Sequence, residues 1–145
     1  MKMIKNILAI QFVLGVFTTI VFSSCKTDEV SPTERNRNLL KSGTWSVSYV
    51  KVDGVDRSDL FKGLKLTFSD QEVTAENGGP IWGTTLSWLF TDNTAREFTL
   101  GSVQVVSINE LTSSSLNITL IWDKTTLDGG RLQSVEGLHE FQFVK

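Results

Sequence analysis

The residues able to do chemistry in this chain are few, and their scarcity already narrows the function. There is one histidine, His139, and one cysteine, Cys25, in 145 residues. No histidine cluster can therefore hold a metal, and any general acid or base work by imidazole rests on His139 alone. A Ser-His-Asp arrangement would need its serine on a tight elbow, and the chain contains no Gly-x-Ser-x-Gly. Asp53, Asp56 and Asp59 recur at every third position, but an EF-hand loop wants ligands at alternate positions and a bidentate Glu at the twelfth, where Leu64 stands. Asp53-Gly54 reads instead as a turn, and Asp59 as the acid in the first turn of a short helix over Ser58–Lys62, capped by Ser58 and stopped at Gly63. Asp70, Glu72, Glu76, Asp92, Glu97 and Glu110 fall at strand ends with no spacing that sets an acid and a base across a substrate. Gly78-Gly79-Pro80 and Gly129-Gly130 lack the lysine and helix of a phosphate loop. The chain is expected not to be an enzyme, with no catalytic residues, no cofactor and no metal.

The aromatic residues are the next source of function. Trp45, Trp88 and Trp122 fall on apolar faces, where core filling is the first explanation and ligand contact the second. Trp82 follows Asn77-Gly78-Gly79-Pro80 in a turn with no strand pattern around it. An exposed indole there would suit stacking on an apolar ligand or a sugar ring, together with the loop from Lys124 to Arg131. The opposing reading folds Trp82 back as a cap. Trp82, Trp88, Trp122 and His139 are the candidate ligand-binding residues, His139 having a structural or rim role as its plainer explanation.

Cys25 comes after a short positive region, Lys2 and Lys5, and the uncharged apolar run Ile7 to Phe22. That run is short of the about 20 apolar residues a membrane span needs and reads as a secretory signal. A single cysteine excludes an intramolecular disulfide and a cysteine-based zinc site. Removing residues 1–24 takes away two lysines and no acid, leaving 12 basic against 16 acidic residues and a formal charge of −4. Neither that balance nor the whole-chain charge of −2 suits phosphate contacts, so nucleic acid is excluded as a partner. Residues 26–38 are polar and poor in core-forming side chains, as a tether requires.

Positioning any of these residues falls to the chain from Leu39 onward, where apolar and polar residues alternate between turn signals. Trp45, Val47 and Tyr49 share one face of a run, then Leu64, Leu66 and Phe68, then Val73 and Ala75. Leu86, Trp88 and Phe90 come next, then Phe98 with Leu100, Val106 with Ile108, the stripe Leu116, Ile118, Leu120 and Trp122, and finally His139, Phe141 and Phe143. This predicts an all-β domain over residues 39–145: an antiparallel meander of about eight strands, a number that can close into a barrel with no exposed edge. A short helix from Thr33 to Lys41, capped by Thr33 and stopped at Gly43, precedes it.

These residues carry two resemblances. Val21-Phe22-Ser23-Ser24-Cys25 resembles the lipobox of bacterial lipoproteins, with Phe22 in place of the usual leucine. It implies cleavage after residue 24 and a lipidated Cys25, with residues 25–38 as anchor and tether. Asp28 and Glu29 resemble the acidic export signals of lipoproteins on the outer face of an outer membrane. Gly43-Thr44-Trp45, opening the first strand after a short helix, resembles the start of a lipocalin barrel. Ser42-Gly43-Thr44-Trp45, Val52–Asp56, Leu60–Gly63, Asn77–Pro80 and Trp122–Thr126 are similar to landmarks of bacterial lipocalin-like lipoproteins. The resemblance implies that Gly43 and Trp45 are structural, that Leu39 and Leu40 plug the closed end, and that a basic residue near the last strand stacks on Trp45. Arg131 lies early for that place and Lys145 late.

The expected function is a membrane-anchored, non-catalytic binding module of the cell envelope for a small apolar or glycan-like ligand. The alternative is an accessory lipoprotein whose barrel is filled by its own side chains and whose outer surface docks a partner protein. An interior pocket above about 300 Å³ favours the first and a packed interior the second.

Overall fold

The computed structural model describes residues 29–145. The expected signal segment, residues 1–24, and Cys25 lie outside the described residues. The elements are α1 (Pro32–Lys41), β1 (Thr44–Val52), β2 (Val55–Asp56), a 3-10 turn (Ser58–Phe61), β3 (Lys65–Phe68), β4 (Glu72–Glu76), α2 (Gly79–Trp82), β5 (Thr85–Phe90), β6 (Glu97–Leu100), β7 (Gln104–Leu111), β8 (Ser115–Trp122), β9 (Thr126–Asp128), β10 (Arg131–Ser134) and β11 (Gly137–Val144). Strands β1, β3, β4, β5, β6, β7, β8 and β11 pair in that order, and β11 returns to β1, closing an eight-stranded antiparallel barrel. Each of the eight alternating runs in the sequence is one of these strands. Two excursions leave the ladder: β2 with the 3-10 turn between β1 and β3, and the β9–β10 hairpin between β8 and β11.

Phase along β1 departs from simple alternation. Trp45 is buried, but a bulge between Val47 and Tyr49 inserts an extra residue, so Val50 and Val52 face inward and Tyr49 does not. A bulge of this kind shifts the side-chain period by one. A second, between Ile108 and Glu110 on β7, turns Leu111 back toward the interior. The expected inward Tyr49 is corrected on this ground.

Helix α1 closes one end. Its N-cap is Ser31, whose hydroxyl accepts from the Glu34 N–H at 3.1 Å. Thr33, expected as the cap, instead donates to the Asn93 carbonyl, and Asn36 donates to the Ala95 carbonyl, fastening the helix to the β5–β6 loop. Arg37 donates to the Asp70 carbonyl and Lys41 pairs with the Asp70 carboxylate at the β3–β4 turn. That pairing holds the Asp70 carboxyl below the ordinary 3.8. Leu40 enters the barrel fully buried, while Leu39 keeps an intermediate position on the rim.

The 3-10 turn also starts differently from expectation. Its N-cap is Arg57, and the Ser58 hydroxyl accepts from the Val50 N–H while donating to Asp56. The Asp56 carboxylate accepts from both the N–H and the hydroxyl of Ser58, which keeps its pKa below 3.8. Asp53-Gly54 forms the β1–β2 turn as read, both residues at positive φ (49° and 79°).

Candidate functional site

The barrel has two dissimilar ends, and the four candidate side chains divide between them. At the α1 end Trp88 is buried with Phe68, Phe90 and Phe98, its ring 5.0 Å from the Arg37 guanidinium carbon. Its indole N–H donates to the Ser69 carbonyl at 3.0 Å. All its polar capacity is spent on the fold, and it lies away from the mouth.

Also at this end, Trp45 is fully buried and donates to the Leu40 carbonyl at 2.9 Å. The Lys145 ammonium sits 4.1 Å from the Trp45 ring centroid, and it also donates to the Leu39 carbonyl and the Ser42 hydroxyl. The basic residue over Trp45 is therefore Lys145, the last residue, while exposed Arg131 belongs to the β9–β10 hairpin. Lys145 thus joins the end of β11, the α1 C-cap and the barrel start in one contact.

The opposite end is the mouth, and three short elements cover it. The β4–β5 connection, expected as a turn carrying an exposed indole, contains the helical turn α2, with Gly79 and Gly83 at positive φ on either side of Pro80-Ile81-Trp82. That geometry rotates the ring inward. Trp82 is completely buried, its ring edge-on to Phe141 at 5.5 Å and to Phe143 at 6.3 Å. Of the two readings of Trp82, the exposed indole is corrected and the folded-back cap is what the structure shows: Trp82 plugs the mouth. Burying so large an aromatic surface outweighs the cost of its indole N–H, which has no hydrogen-bond partner.

Gly78 makes that plug possible. A Cβ there would lie 2.6 Å from the Trp82 Cβ, 2.8 Å from the Ala75 Cβ and 2.9 Å from the Gly83 carbonyl oxygen. Gly78→Ala is expected to cost about 1–3 kcal/mol by overpacking and to loosen α2. A chemical melt of the variant, with the solvent exchange of the Trp82 indole followed by NMR, checks both.

His139 is the second residue of the mouth. It is fully buried, stacked on Phe141 at 5.8 Å and met edge-on by Phe61 of the 3-10 turn at 5.9 Å. Its Nδ1 lies 3.1 Å from the Gly137 carbonyl. A carbonyl only accepts, so Nδ1 carries the proton and Nε2 offers a lone pair, which finds no partner. Burial pushes the imidazole pKa below the ordinary 6.5, against smaller raising effects from the Gly137 hydrogen bond and the Asp53 charge. The side chain therefore stays neutral at neutral pH.

Trp122 ends the inward stripe of β8, half-buried, and donates to the Ser134 hydroxyl at 3.1 Å. Ser134 is itself fully buried, hydrogen-bonded to Thr126 and donating to the Lys124 carbonyl, so this node pins the β9–β10 hairpin to the end of β8. The Lys124–Arg131 segment, expected as a loop, is largely that hairpin. Trp82 and His139 are brought together through Phe141, Trp122 lies beside them on the rim, and Trp88 is at the other end.

The interior between the ends is filled. Trp45, Trp82, Phe61, Phe98, Phe141 and Phe143 are its largest fully buried side chains, with Leu40, Leu64, Leu66, Leu100, Leu116 and Ile118 between them. Three open grooves lie outside that interior. A groove of about 650 Å³ runs over the outer wall of β7, β8 and β11, lined by Val103, Val105, Ile121, Leu138 and the rim residues Trp122 and Lys124. Another of about 550 Å³ lies between β1 and the 3-10 turn, with Tyr49, Asp56 and Asp59 among its walls, and one of about 670 Å³ lies beside α1 at Val30, Leu39 and Leu111.

The wall groove escapes a reading of the sequence because a period of two assigns only one apolar face per strand. Ile121 pairs with Leu138, and both point outward; Val103 is 86% exposed and Ile121 70% exposed. The signal is present as apolar residues on both faces of one strand: Val105 beside Val106, and Ile121 between Leu120 and Trp122. Among the described residues no cluster of His, Cys, Asp or Glu is arranged to hold a metal, and no helix is long and apolar enough to cross a membrane. Set against known proteins, the chain matches no family model, no curated protein and no solved structure.

Proposed function

We propose that this chain is a lipid-anchored, non-catalytic accessory module of the cell envelope, a lipocalin-like barrel filled by its own side chains that docks a partner protein through its outer wall. The observation that carries the reading is the wall groove at Val103, Val105, Ile121 and Leu138 on a barrel whose interior is already packed. A contiguous exposed apolar patch with a polar rim is the usual mark of a protein contact. Gln104, Ser107, Thr119, Asp123 and Lys124 supply that rim. The lipocalin-like reading is supported by Gly43-Thr44-Trp45 at the barrel start, α1 beneath it and Lys145 over the indole. Lipidation of Cys25 would fix the module to the outer membrane through a tether shorter than the expected 26–38, since α1 already begins at Pro32 and is fastened to the barrel through Thr33, Asn36 and Arg37.

Replacing Ile121 and Leu138 together by lysine tests the docking reading. Both side chains are exposed, so stability should change by no more than about 0.5 kcal/mol per site. Crosslinking in intact cells should lose a discrete, stoichiometric adduct that the unaltered chain forms and that an equally drastic pair on the opposite wall, Thr74→Lys with Ser87→Lys, leaves intact. An adduct unchanged by the Ile121 and Leu138 pair contradicts docking at this groove.

The second reading, a small apolar or glycan-like ligand, has one specific observation in its favour. The Trp82 indole donor and the His139 Nε2 acceptor are both buried and unpaired beside Phe141. A ligand hydroxyl could satisfy both, but only after α2 moves aside to make room.

A further inference from the structure

We propose that His139 is an acid-operated latch on the mouth: while the imidazole is neutral it holds Phe61 and the 3-10 turn against the barrel interior, and protonation releases them. This goes beyond the docking function and does not depend on it.

The geometry makes the closed mouth specific for the neutral ring. Nδ1 is committed to the Gly137 carbonyl, and the Nε2 face meets no hydrogen-bond acceptor. Protonation would place a new N–H donor and a positive charge there without a partner, a costly combination in an apolar enclosure. The neighbours on each side offer little relief. The 3-10 turn presents the Phe61 ring, while its Asp59 and the adjoining Lys62 are exposed. Across the sheet His139 is paired with Val52 on β1 and Leu120 on β8, and on its own strand it stacks on Phe141, Glu140 alternating to the other face.

The charged group that acts on the ring is Asp53 in the β1–β2 turn. Its carboxylate is engaged elsewhere: Oδ1 accepts from the Leu138 N–H at 2.9 Å. Gly137, at φ 139°, lets it in, since a Cβ at that position would overlap the Asp53 carboxylate. Asp53 therefore pins the backbone next to the histidine, and desolvation outweighs its charge.

The part free to move is the one Phe61 stands on. The 3-10 turn is one of the two excursions outside the barrel ladder, held by hydrogen bonds between Val50 and both Arg57 and Ser58, by Leu60 against the core and by Phe61 packing on His139 and Phe141. If Phe61 swings out, the imidazole reaches water and titrates near its ordinary value. The closed state has the lowered pKa and binds fewer protons than the open one, so closure is fully present above 6.5 and is lost as pH falls from there through the closed-state pKa. Asp56, Asp70 and Asp92, whose pKa values are lowered from 3.8, contribute only at more acidic pH. The two effects occupy separate windows.

The test is amide hydrogen exchange by NMR between pH 7.5 and 5, corrected for intrinsic exchange, with the imidazole resonances followed in the same samples. His139 is the chain's only histidine, so its titration is unambiguous. The Leu64 amide, bonded to the Phe61 carbonyl at 3.1 Å, reports the latch, and Ile118 in the wall of β8 is the control. The expected result is an imidazole midpoint below 6.5, with Leu64 far less protected than Ile118 at every pH and its protection falling by up to about tenfold per pH unit below 6.5. His139→Phe should abolish the pH dependence at Leu64. Should that variant fail to fold, the contrast between Leu64 and Ile118 in the unaltered protein still decides. An imidazole midpoint at or above 6.5, unchanged Leu64 protection, or Leu64 as strongly protected as Ile118 would overturn the latch.

Discussion

Trp45→Ala should destabilise the domain by about 3–5 kcal/mol, the range for removing a fully buried large aromatic side chain. For a domain of this size, that is a large share of the about 5–15 kcal/mol total expected. The cost exceeds the lost apolar contact because three parts of the chain meet on this ring. Leu40 accepts from its N–H, Lys145 lies over its face, and β1 starts from its backbone. Trp45→Phe separates these contributions. It keeps most of the ring contact and loses the hydrogen bond to Leu40, so about 1–3 kcal/mol is expected from the carbonyl left behind and the smaller volume. Urea melts of the two variants measure both, and a Trp45→Ala loss below about 1 kcal/mol would refute the role of the indole as the closed-end keystone.

Phe141→Ala is the second large effect, again about 3–5 kcal/mol, and it acts at the other end. Phe141 touches Phe61 at 4.9 Å, Trp82 at 5.5 Å, His139 at 5.8 Å and Phe143 at 5.9 Å. It is the side chain common to the plug, the latch and the wall. Edge-to-face pairs add about 0.5–1.5 kcal/mol each beyond burial, and two of these contacts are of that type. The variant should therefore melt early and lose order first at the mouth. Hydrogen exchange of the Trp82 indole should rise well before that of Trp45. Equal rises at both indoles would mean that the two ends unfold as one unit and that Phe141 has no special hold on the mouth.

The two ends are unequally legible in the sequence. The closed end can be read almost whole, because Leu40, Gly43 and Trp45 act through local chemistry: a helix stop, a strand start and an aromatic plug next to one another in the chain. Hidden from such a reading are Lys145, whose partner lies a full barrel circuit away, and the Ser31 cap, one choice among adjacent hydroxyl residues. The eight barrel strands are visible because each buries one face and alternates. The bulge at Val47–Tyr49 is not, since an inserted residue changes the phase without changing the composition.

The mouth is harder to read for a physical reason. Asn77-Gly78-Gly79-Pro80 signals a chain reversal but not the direction in which the next side chain points. That direction is set by tertiary packing: the space left by Gly78 and the ring of Phe141 draw Trp82 inward. His139 does lie on the face that alternation gives it with Phe141 and Phe143. Its enclosure by Phe61 depends on a long-range contact that no periodicity records. The wall groove is hidden for the opposite reason, since apolar residues are assigned inward by default and Ile121 and Leu138 point outward.

Anchorage at Cys25 and a barrel already filled by its own side chains are together the central claim. Native mass spectrometry of the protein, extracted gently from the cells that make it, tests both halves at once. The predicted result is a species beginning at Cys25, heavier than the polypeptide by covalently attached acyl chains, with no stoichiometric small molecule that departs on collisional activation. A chain that retains residues 1–24 or lacks acyl groups would contradict the anchor, and a stoichiometric small-molecule adduct would contradict the filled barrel.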